Sequence, residues 1–477
     1  MESKEAREVD VVVIGAGAVG ENVADRTVRG GLETVIVEGD LVGGECSYWA
    51  CMPSKALLRS PQVLAAAKAL PGAAEAVTGD LDVAAVLRRR DSFTSEWSDS
   101  GQVGWLESAG IGLIRGHARL SGEREVTVTA DDGSTQVIGA RHAVVVSTGS
   151  VANIPDIPGL RRARPWTSRE ATSAHSVPES LAIIGGGVVA AEMANVYAAF
   201  GAEVTVISRS GLLAGVESFA ADMVIESLRS QGVQIMTGVE TRSVERTDDG
   251  VRIETDAGTV TAAEVLAAAG RRPATTDLGL DRIGLEPGST LETDDTLRVD
   301  GFDWLYATGD VNGRALLTHQ GKYQARAAGD VIAARAAGRP VDDVPWGAHV
   351  ATADHNAVPQ VVFTDPEIAA VGPTAEQARE SGRTVRVVDY DLGHVAGASL
   401  SRDGYEGAAR MIVDEDRGVM IGATFVGPDV AELVQTATTA IVGEVPIDRL
   451  WHAVPAYPSV SEIWLRLLEE YGRPSGT

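Results

Sequence analysis

The stretch Val9-Asp10-Val11-Val12-Val13-Ile14-Gly15-Ala16-Gly17-Ala18-Val19-Gly20 decides the fold. Its first half is a short, nearly continuous apolar run, the mark of a strand buried on both faces of a parallel sheet. Its second half is a glycine turn, and the residues to about Arg29 read as a helix. Thr34 to Val37 forms the next strand, closed by Glu38, which lies 18 residues past Gly20. Gly15 makes the tight turn, Gly17 lets backbone approach a pyrophosphate, and Gly20 allows close helix–strand packing. The helix N-terminus offers amide donors to phosphate, and an acid at the end of the second strand bonds ribose hydroxyls. Strand, turn, helix, strand and acid together predict a dinucleotide site for an unphosphorylated ribose, FAD or a relative of it.

The same grammar returns later. Leu181 to Ile184 reads as a strand, Gly185-Gly186-Gly187-Val188-Val189-Ala190 as the turn, Ala191 to Phe200 as a helix and Val204 to Ile207 as the next strand. Gly185, Gly187 and Ala190 take the three motif positions, so the chain holds a divergent internal repeat. No acid closes the second unit. Ser208 and Arg209 stand there instead and suit a 2′-phosphate, whose charge an arginine fork can hold. The second site therefore favours NADPH over NADH. A solvated surface arginine would read the same way, and no second arginine follows closely.

Around these units, Ser54 to about Ala109 reads as helical. Asp131-Asp132-Gly133 turns one pair of strands before Ala143 to Ser150. A region of antiparallel strands spans 233–263, turned at Asp248-Asp249-Gly250 and Asp256-Ala257-Gly258. Ala315 to Ala336 reads as a helix. Strands follow at 360–363, 385–390, 409–413 and 419–426, then a helix at 429–443 and a last amphipathic helix from Ser459 to Tyr471. The expected fold class is α/β, with two Rossmann-like dinucleotide-binding domains and a C-terminal α+β domain. The expected segments are 1–152 for FAD, 153–278 for NAD(P), a return at 279–345 and a C-terminal domain at 346–477.

The chain has two cysteines, five positions apart, in Gly43-Gly44-Glu45-Cys46-Ser47-Tyr48-Trp49-Ala50-Cys51-Met52-Pro53-Ser54-Lys55. On one regular helix, residues five apart have Cα atoms roughly 8–9 Å from each other. A disulfide wants about 4.4–6.8 Å. Proline is favoured in a first helical turn, so Pro53 places Cys51 at a helix N-terminus and Cys46 in a loop or distorted turn before it. A helix N-terminus stabilises a thiolate. Two unrelated buried cysteines are the bland alternative. Two cysteines are too few for a secreted disulfide scaffold or a four-cysteine zinc site, so no metal site is expected.

The 477 residues carry 41 Lys and Arg against 67 Asp and Glu, a formal net charge of −26. Such a surface repels nucleic acid and anionic membranes, so neither is an expected partner. No apolar run is long enough to span a bilayer, and the mixed-charge start Met1 to Glu8 is not a signal peptide. The expected location is the cytoplasm.

These motifs resemble the pyridine nucleotide–disulfide oxidoreductases, the family of lipoamide dehydrogenase, glutathione reductase and mercuric reductase. The likeness extends through Ser147-Thr148-Gly149, Gly270-Arg271-Arg272-Pro273, Ala307-Thr308-Gly309-Asp310 and Val361 to Glu367. It implies a homodimer with FAD bound non-covalently and a C-terminal dimerisation domain. It implies that Cys51 is the flavin-facing thiolate and Cys46 the interchange thiol. Lys55 and Glu192 look like the ion pair at the flavin edge, and Asp310 like the ribityl ligand. Gly44, Thr148, Gly149, Arg271 and Gly309 fall at positions that hold FAD, and Gly270 joins the nicotinamide set.

One departure bears on function. Disulfide-reducing relatives carry a His-Pro motif with a Glu five residues after the His. Here Glu462 is present but Tyr457 stands at the histidine position. A phenol, ordinarily near pKa 10 against about 6.5 for imidazole, is a poor general base at neutral pH. Tyr457 reads equally as an interface residue or a pocket residue. His452 reads as a helix-end residue, or as a base folded back in substitution. The expected acceptor is therefore a small molecule such as a quinone or another electrophile. The competing readings are a dihydrolipoamide dehydrogenase-like enzyme, a metal-ion reductase using Cys46, Cys51 and Tyr457, and a non-enzymatic redox or nucleotide sensor. Tyrosine at this place is similar to mercuric reductase, yet the C-terminal cysteine pair of that enzyme is missing. Trp49, Trp97 and Trp105 read as core aromatics or as the lining of an acceptor pocket.

Overall fold

The computed structural model describes residues 7–473, so the start of the mixed-charge N-terminal stretch lies outside the described residues. The chain divides into two compact units, each assembled from three segments.

The first unit takes residues up to 53, 91–152 and 271–354. Its sheet is built on Arg7–Ile14, where Val11, Val12 and Val13 are wholly buried. Each such side chain contributes about 1.5–3 kcal/mol on leaving water, which is why an apolar run with no polar alternation settles in the middle of a sheet. Gly112–Arg115, Thr34–Glu38, Arg7–Ile14 and Thr135–Val146 lie side by side in that order, all parallel. Leu305–Ala307 adds a further parallel strand beside Thr135–Val146. The antiparallel strands Glu125–Thr129 and His117–Gly122 extend the sheet across the Asp131–Gly133 turn. The helices Gly20–Arg29 and Thr318–Ala336 meet at nearly bare backbone. A Cβ on Gly321 would come 2.5 Å from Val19 Cγ2, and one on Gly329 would come 2.4 Å from Arg26 Cβ.

The second unit takes residues 54–90, 153–270 and 355 onward. A four-stranded parallel sheet runs in the order Gln234–Thr237, Glu203–Ser208, Ser180–Ile184, Glu264–Ala267. Gln234–Thr237 thus corrects the sequence reading. It pairs in parallel with Glu203–Ser208 and does not join the antiparallel sheet of Thr241–Thr247, Gly250–Thr255 and Gly258–Ala262. The reason is its crossover, the helix Ser218–Ser230, which returns the chain in the same direction. A separate five-stranded antiparallel sheet is formed by Gln360–Val362, Glu367–Val371, Val419–Gly427, Ala408–Asp414 and Val385–Asp391. Glu367–Val371 was not expected as a strand, because the preceding Asp365-Pro366 reads as a turn and hides the short apolar run behind it. The following helix is Leu433–Val442, shorter at its start than 429–443.

The compact units cut across the expected segments. Residues 54–90 pack in the second unit, since Leu57, Leu58 and Val86 share a core with Leu181, Ile183 and Val206. No helix among the described residues is long and apolar enough to cross a membrane.

Candidate active site

Both cysteines lie in the first segment of the first unit. Cys46 lies on the helix Gly44–Tyr48, so it is helical where a loop or distorted turn was expected. That helix stops at Trp49, whose φ of −139° breaks the spiral, and a new helix, Cys51–Lys68, starts at Cys51. The break resolves the spacing problem, since no single regular helix has to carry both residues. Both cysteines are free thiols and partly buried. The Thr318 hydroxyl lies 3.3 Å from Cys51 Sγ. Cys46 is pushed far above the ordinary thiol range, chiefly by the hydrogen bond it shares with Cys51, then by burial, then by the charge Cys51 carries. Cys51 stands at a helix N-terminus, where a thiolate is favoured.

The first glycine loop forms a cradle. A Cβ on Gly15 would strike Ser147 O at 2.5 Å, and one on Gly20 would strike Gly15 O at 1.9 Å, so these two glycines are required by the turn itself. Gly17 differs, because a Cβ there meets nothing nearer than Gly44 Cα at 4.0 Å. Gly44 in turn crowds Gly17, its own Cβ falling 2.8 Å from Gly17 Cα. Gly17 thus faces open space, as a loop that lets a phosphate approach would. Glu38 folds back on the loop and accepts hydrogen bonds from the Ala16 amide at 2.7 Å and the Asp40 amide at 2.8 Å. Burial nonetheless pushes its carboxyl above the usual range.

Thr148 Oγ1 is buried without a hydrogen-bond partner, and a Cβ on Gly149 would meet nothing. Asp310 starts a turn of 3₁₀ helix after Gly309, whose amide is held by Gln324. Ser150 Oγ donates to Asp310, and Arg271 grips Ser150 through Nε on Oγ and Nη2 on the carbonyl, both at 2.6 Å. Arg271 also stands 3.9 Å from Asp310 and from Glu45. An orphaned hydroxyl, an open glycine cradle and a poised aspartate are what a flavin dinucleotide would complete, so the residues present fit FAD.

In the second unit Gly187 and Gly270 also face open space, whereas Gly185 is forced by Ala268 O at 2.1 Å. Ala190 is fully buried in the helix Val188–Ala199. The donor set is thus open at Gly187 and Gly270 and fits a nicotinamide dinucleotide. Ser208 is placed differently from the sequence reading. Its hydroxyl is buried and bonded to both the amide and the carbonyl of Gly211, so it ties the turn and does not reach outward. Arg209, beside it, is exposed.

Lys55 and Glu192 form an ion pair at 2.8 Å, with Glu192 almost wholly buried. Glu192 also accepts the Phe363 amide at 3.0 Å, and Lys55 Nζ sits 4.9 Å over the Phe363 ring. Sequence reasoning had the pair but missed Phe363, Thr318 and Gln324. Phe363 and Thr318 meet partners far away in sequence, 171 residues to Glu192 and 267 residues to Cys51, and no local spacing signals them.

At the C-terminal end Tyr457 is 74 % exposed, and Val454 is 85 % exposed. Glu462 is buried and bonded through one oxygen to Arg466, while its other oxygen has no hydrogen-bond partner. His452 is exposed and follows the helix Ile447–Leu450, as a helix-end residue does. Trp105 is exposed, while Trp49 and Trp97 are partly buried.

Comparison with known proteins agrees with this geometry. The family profile described as pyridine nucleotide-disulphide oxidoreductase matches residues 9–331, and that family's dimerisation domain matches residues 358–467. Dihydrolipoyl dehydrogenase 2 of Haloarcula marismortui is 31% identical over 465 residues, covering 95% of this chain and 94% of the relative. Mercuric reductase of Acidithiobacillus ferrooxidans is 29% identical over 453 residues, covering 94% and 80%. Among solved structures, LpdA of Mycobacterium tuberculosis has a TM-score of 0.81 at 26% identity, covering 97% of this chain and 100% of that one. The Cu(II) complex of the HOCl-induced flavoprotein disulfide reductase RclA of Escherichia coli shares the fold, with a TM-score of 0.82 at 24% identity over 97% and 99%.

Proposed function

Because the chain belongs to the pyridine nucleotide-disulphide oxidoreductase family, whose members are FAD-dependent, we propose that it moves two electrons from NADPH to a Cys46–Cys51 disulfide and on to a small acceptor. The observation that carries this is the placement of the thiol pair across a helix break, with Cys51 at a helix N-terminus beside the Thr318 hydroxyl.

FAD, when bound, supplies the two-electron chemistry between a nicotinamide and a disulfide. Gly15, Gly17, Gly20, Glu38, Gly44, Thr148, Gly149, Arg271, Gly309 and Asp310 would hold it. Gly185, Gly187, Ala190, Gly270 and Arg209 would hold NADPH, with Ser208 shaping the turn that presents Arg209. Glu192, almost wholly buried and bonded to the Phe363 amide, fixes the Lys55 ammonium, which sits over the Phe363 ring.

On reduction the S–S bond breaks, and the pair takes two electrons and one proton, leaving a Cys51 thiolate and a Cys46 thiol. With a quinone as acceptor the bond re-forms. The quinone takes both electrons and two protons, one from Cys46 and one from solvent. An acceptor of this kind needs no base to activate it, which suits Tyr457 at the place where relatives keep a histidine. The protein works as a homodimer in the cytoplasm, where cysteine pairs are redox centres more often than structural staples.

The test is an anaerobic titration of the flavin-loaded protein with NADPH, followed by thiol counting and an acceptor survey. Two thiols per flavin should appear in the wild type and not in Cys46→Ser or Cys51→Ser. Quinones should then turn over faster than lipoamide or glutathione disulfide, and Tyr457→His should raise disulfide turnover by about 100-fold, the usual worth of a general base. An unchanged thiol count on NADPH addition would sink the proposal.

A second reading is favoured by the relatives named dihydrolipoyl dehydrogenase. NAD-linked oxidation of dihydrolipoamide outpacing quinone reduction would establish it instead.

A further inference from the structure

The turn that carries Asp310 is held from behind by a set of buried polar side chains, all within the first unit. Gln324, on the helix Thr318–Ala336, is wholly buried. Its Oε1 accepts from the Gly309 amide at 2.8 Å and from Asn312 Nδ2 at 2.9 Å, so it clamps both ends of the turn Asp310–Asn312. Its Nε2 donates to Asp354 Oδ2 at 2.9 Å. Arg314 Nε donates to the same oxygen at 2.8 Å, and the Arg314 amide donates to Asn312 Oδ1 at 3.1 Å. Asp354, Gln324, Asn312 and Arg314 thus form a closed circuit of hydrogen bonds. Gln320 Nε2 donates to the other Asp354 oxygen at 2.9 Å. The Asp354 side chain is 1 % exposed, and Asn312 and Gln320 are buried.

The chemistry of the circuit fixes its direction. A carboxylate only accepts, so Asp354 compels the Gln324 NH2 to face it and the Gln324 oxygen to face the loop. Turned over, the amide would set N–H against the Gly309 N–H and oxygen against the carboxylate. Such a circuit adds little to stability, because the bonds formed mainly offset the cost of burying the groups that make them. What it adds is a single orientation. Asp310 is therefore held from two sides. Ser150 donates to its carboxylate, with Arg271 3.9 Å away, while Gln324 fixes the backbone on which it stands.

Resting on the reading that Asp310 holds FAD, we propose that Gln324, oriented by Asp354, is the positioning residue for that ligand. It sets the Gly309–Asp310 turn before the cofactor arrives, so that binding has no loop left to order there. Asn312 and Arg314 complete the circuit and keep the far end of the turn from drifting.

The experiment is a double-mutant cycle on FAD affinity, read from the fluorescence of FAD released as the loaded full chain is diluted. Gln324→Met should weaken FAD binding by about tenfold, since the Gly309 amide and Asn312 lose their shared acceptor. In an Asp310→Ala background the same substitution should weaken it by less than about twofold, because the ligand it positions is gone. A packing role would weaken binding by the same factor in both backgrounds. Asp354→Asn, which offers one acceptor oxygen to three donors, should act in the same direction and be equally non-additive with Asp310→Ala. It serves where Gln324→Met yields no folded protein. Equal losses in the two backgrounds, or wild-type affinity in a folded Gln324→Met, overturn the inference and leave Asp310 as a ligand. Wild-type affinity in Asp310→Ala overturns the reading of Asp310 and the inference with it.

Discussion

Glu21 shows what one misplaced charge does to a fold. Burial lifts its carboxyl to about 7 from an ordinary 4.5, against the pull of Lys322. A carboxyl raised in the folded state is neutral there while already ionised in the unfolded chain. Its full contribution is present below about pH 4.5 and is lost as pH rises through about 7. A shift of this size is worth about 3 kcal/mol. Glu21→Gln should therefore match the wild type in thermal melts at pH 5 and gain several degrees at pH 8. Equal melting temperatures for the two proteins at both pH values would contradict the burial argument. No pattern in the sequence marked Glu21 or Lys322, because their meaning arises only when two helices some 300 residues apart are laid together. Lys55 and Glu192 were legible only through family likeness, whereas the helix break between Cys46 and Cys51 was legible by itself, from their five-residue spacing and Pro53. Ser208 misled for a local reason. A hydroxyl at a strand end can face a ligand or close its own turn, and here Gly211 takes both of its bonds.

At the scale of an element, the glycine loop separates two demands that its motif merges. Gly20 serves the fold, for its Cβ would sit 1.9 Å from Gly15 O. A Cβ on Gly17 would meet no protein atom nearer than 4.0 Å, so Gly17 is spared a side chain for some other reason. Gly17→Ala should leave secondary structure and melting of the flavin-free protein unchanged and strip the purified protein of most of its flavin, read from the ratio of visible to ultraviolet absorbance. Gly20→Ala should cost solubility as well. Full flavin retention by Gly17→Ala would remove the loop from the cofactor site. The elements themselves were largely legible because buried parallel strands announce themselves as unbroken valine runs. The failures, Gln234–Thr237 and Glu367–Val371, are short strands whose partners are chosen by crossover and packing, and no four- or five-residue run states its own direction.

At the scale of the whole molecule, a formal charge of −26 opposes association of like chains, so any dimer contact needs an apolar patch that outweighs repulsion. The C-terminal sheet carries the family's dimerisation domain, and the segment after it exposes Val454 and Tyr457 at 85 % and 74 %. Large apolar side chains so exposed on a charged protein mark a contact surface. The segment cannot cover them itself, because Ala453, Val454, Ala456, Tyr457 and Pro458 are all exposed together. Val454→Asp places a further negative charge in the middle of that run. It should convert the dimer to monomer in sedimentation velocity at micromolar protein, and 0.5 M salt should recover part of the dimer by screening the added repulsion. Because Tyr457 lies in the same segment, acceptor turnover should fall with the dimer while the NADPH-driven thiol count stays at two per flavin. A Val454→Asp protein that remains dimeric would place the interface elsewhere on the C-terminal domain, and a monomeric wild type would overturn the homodimer itself.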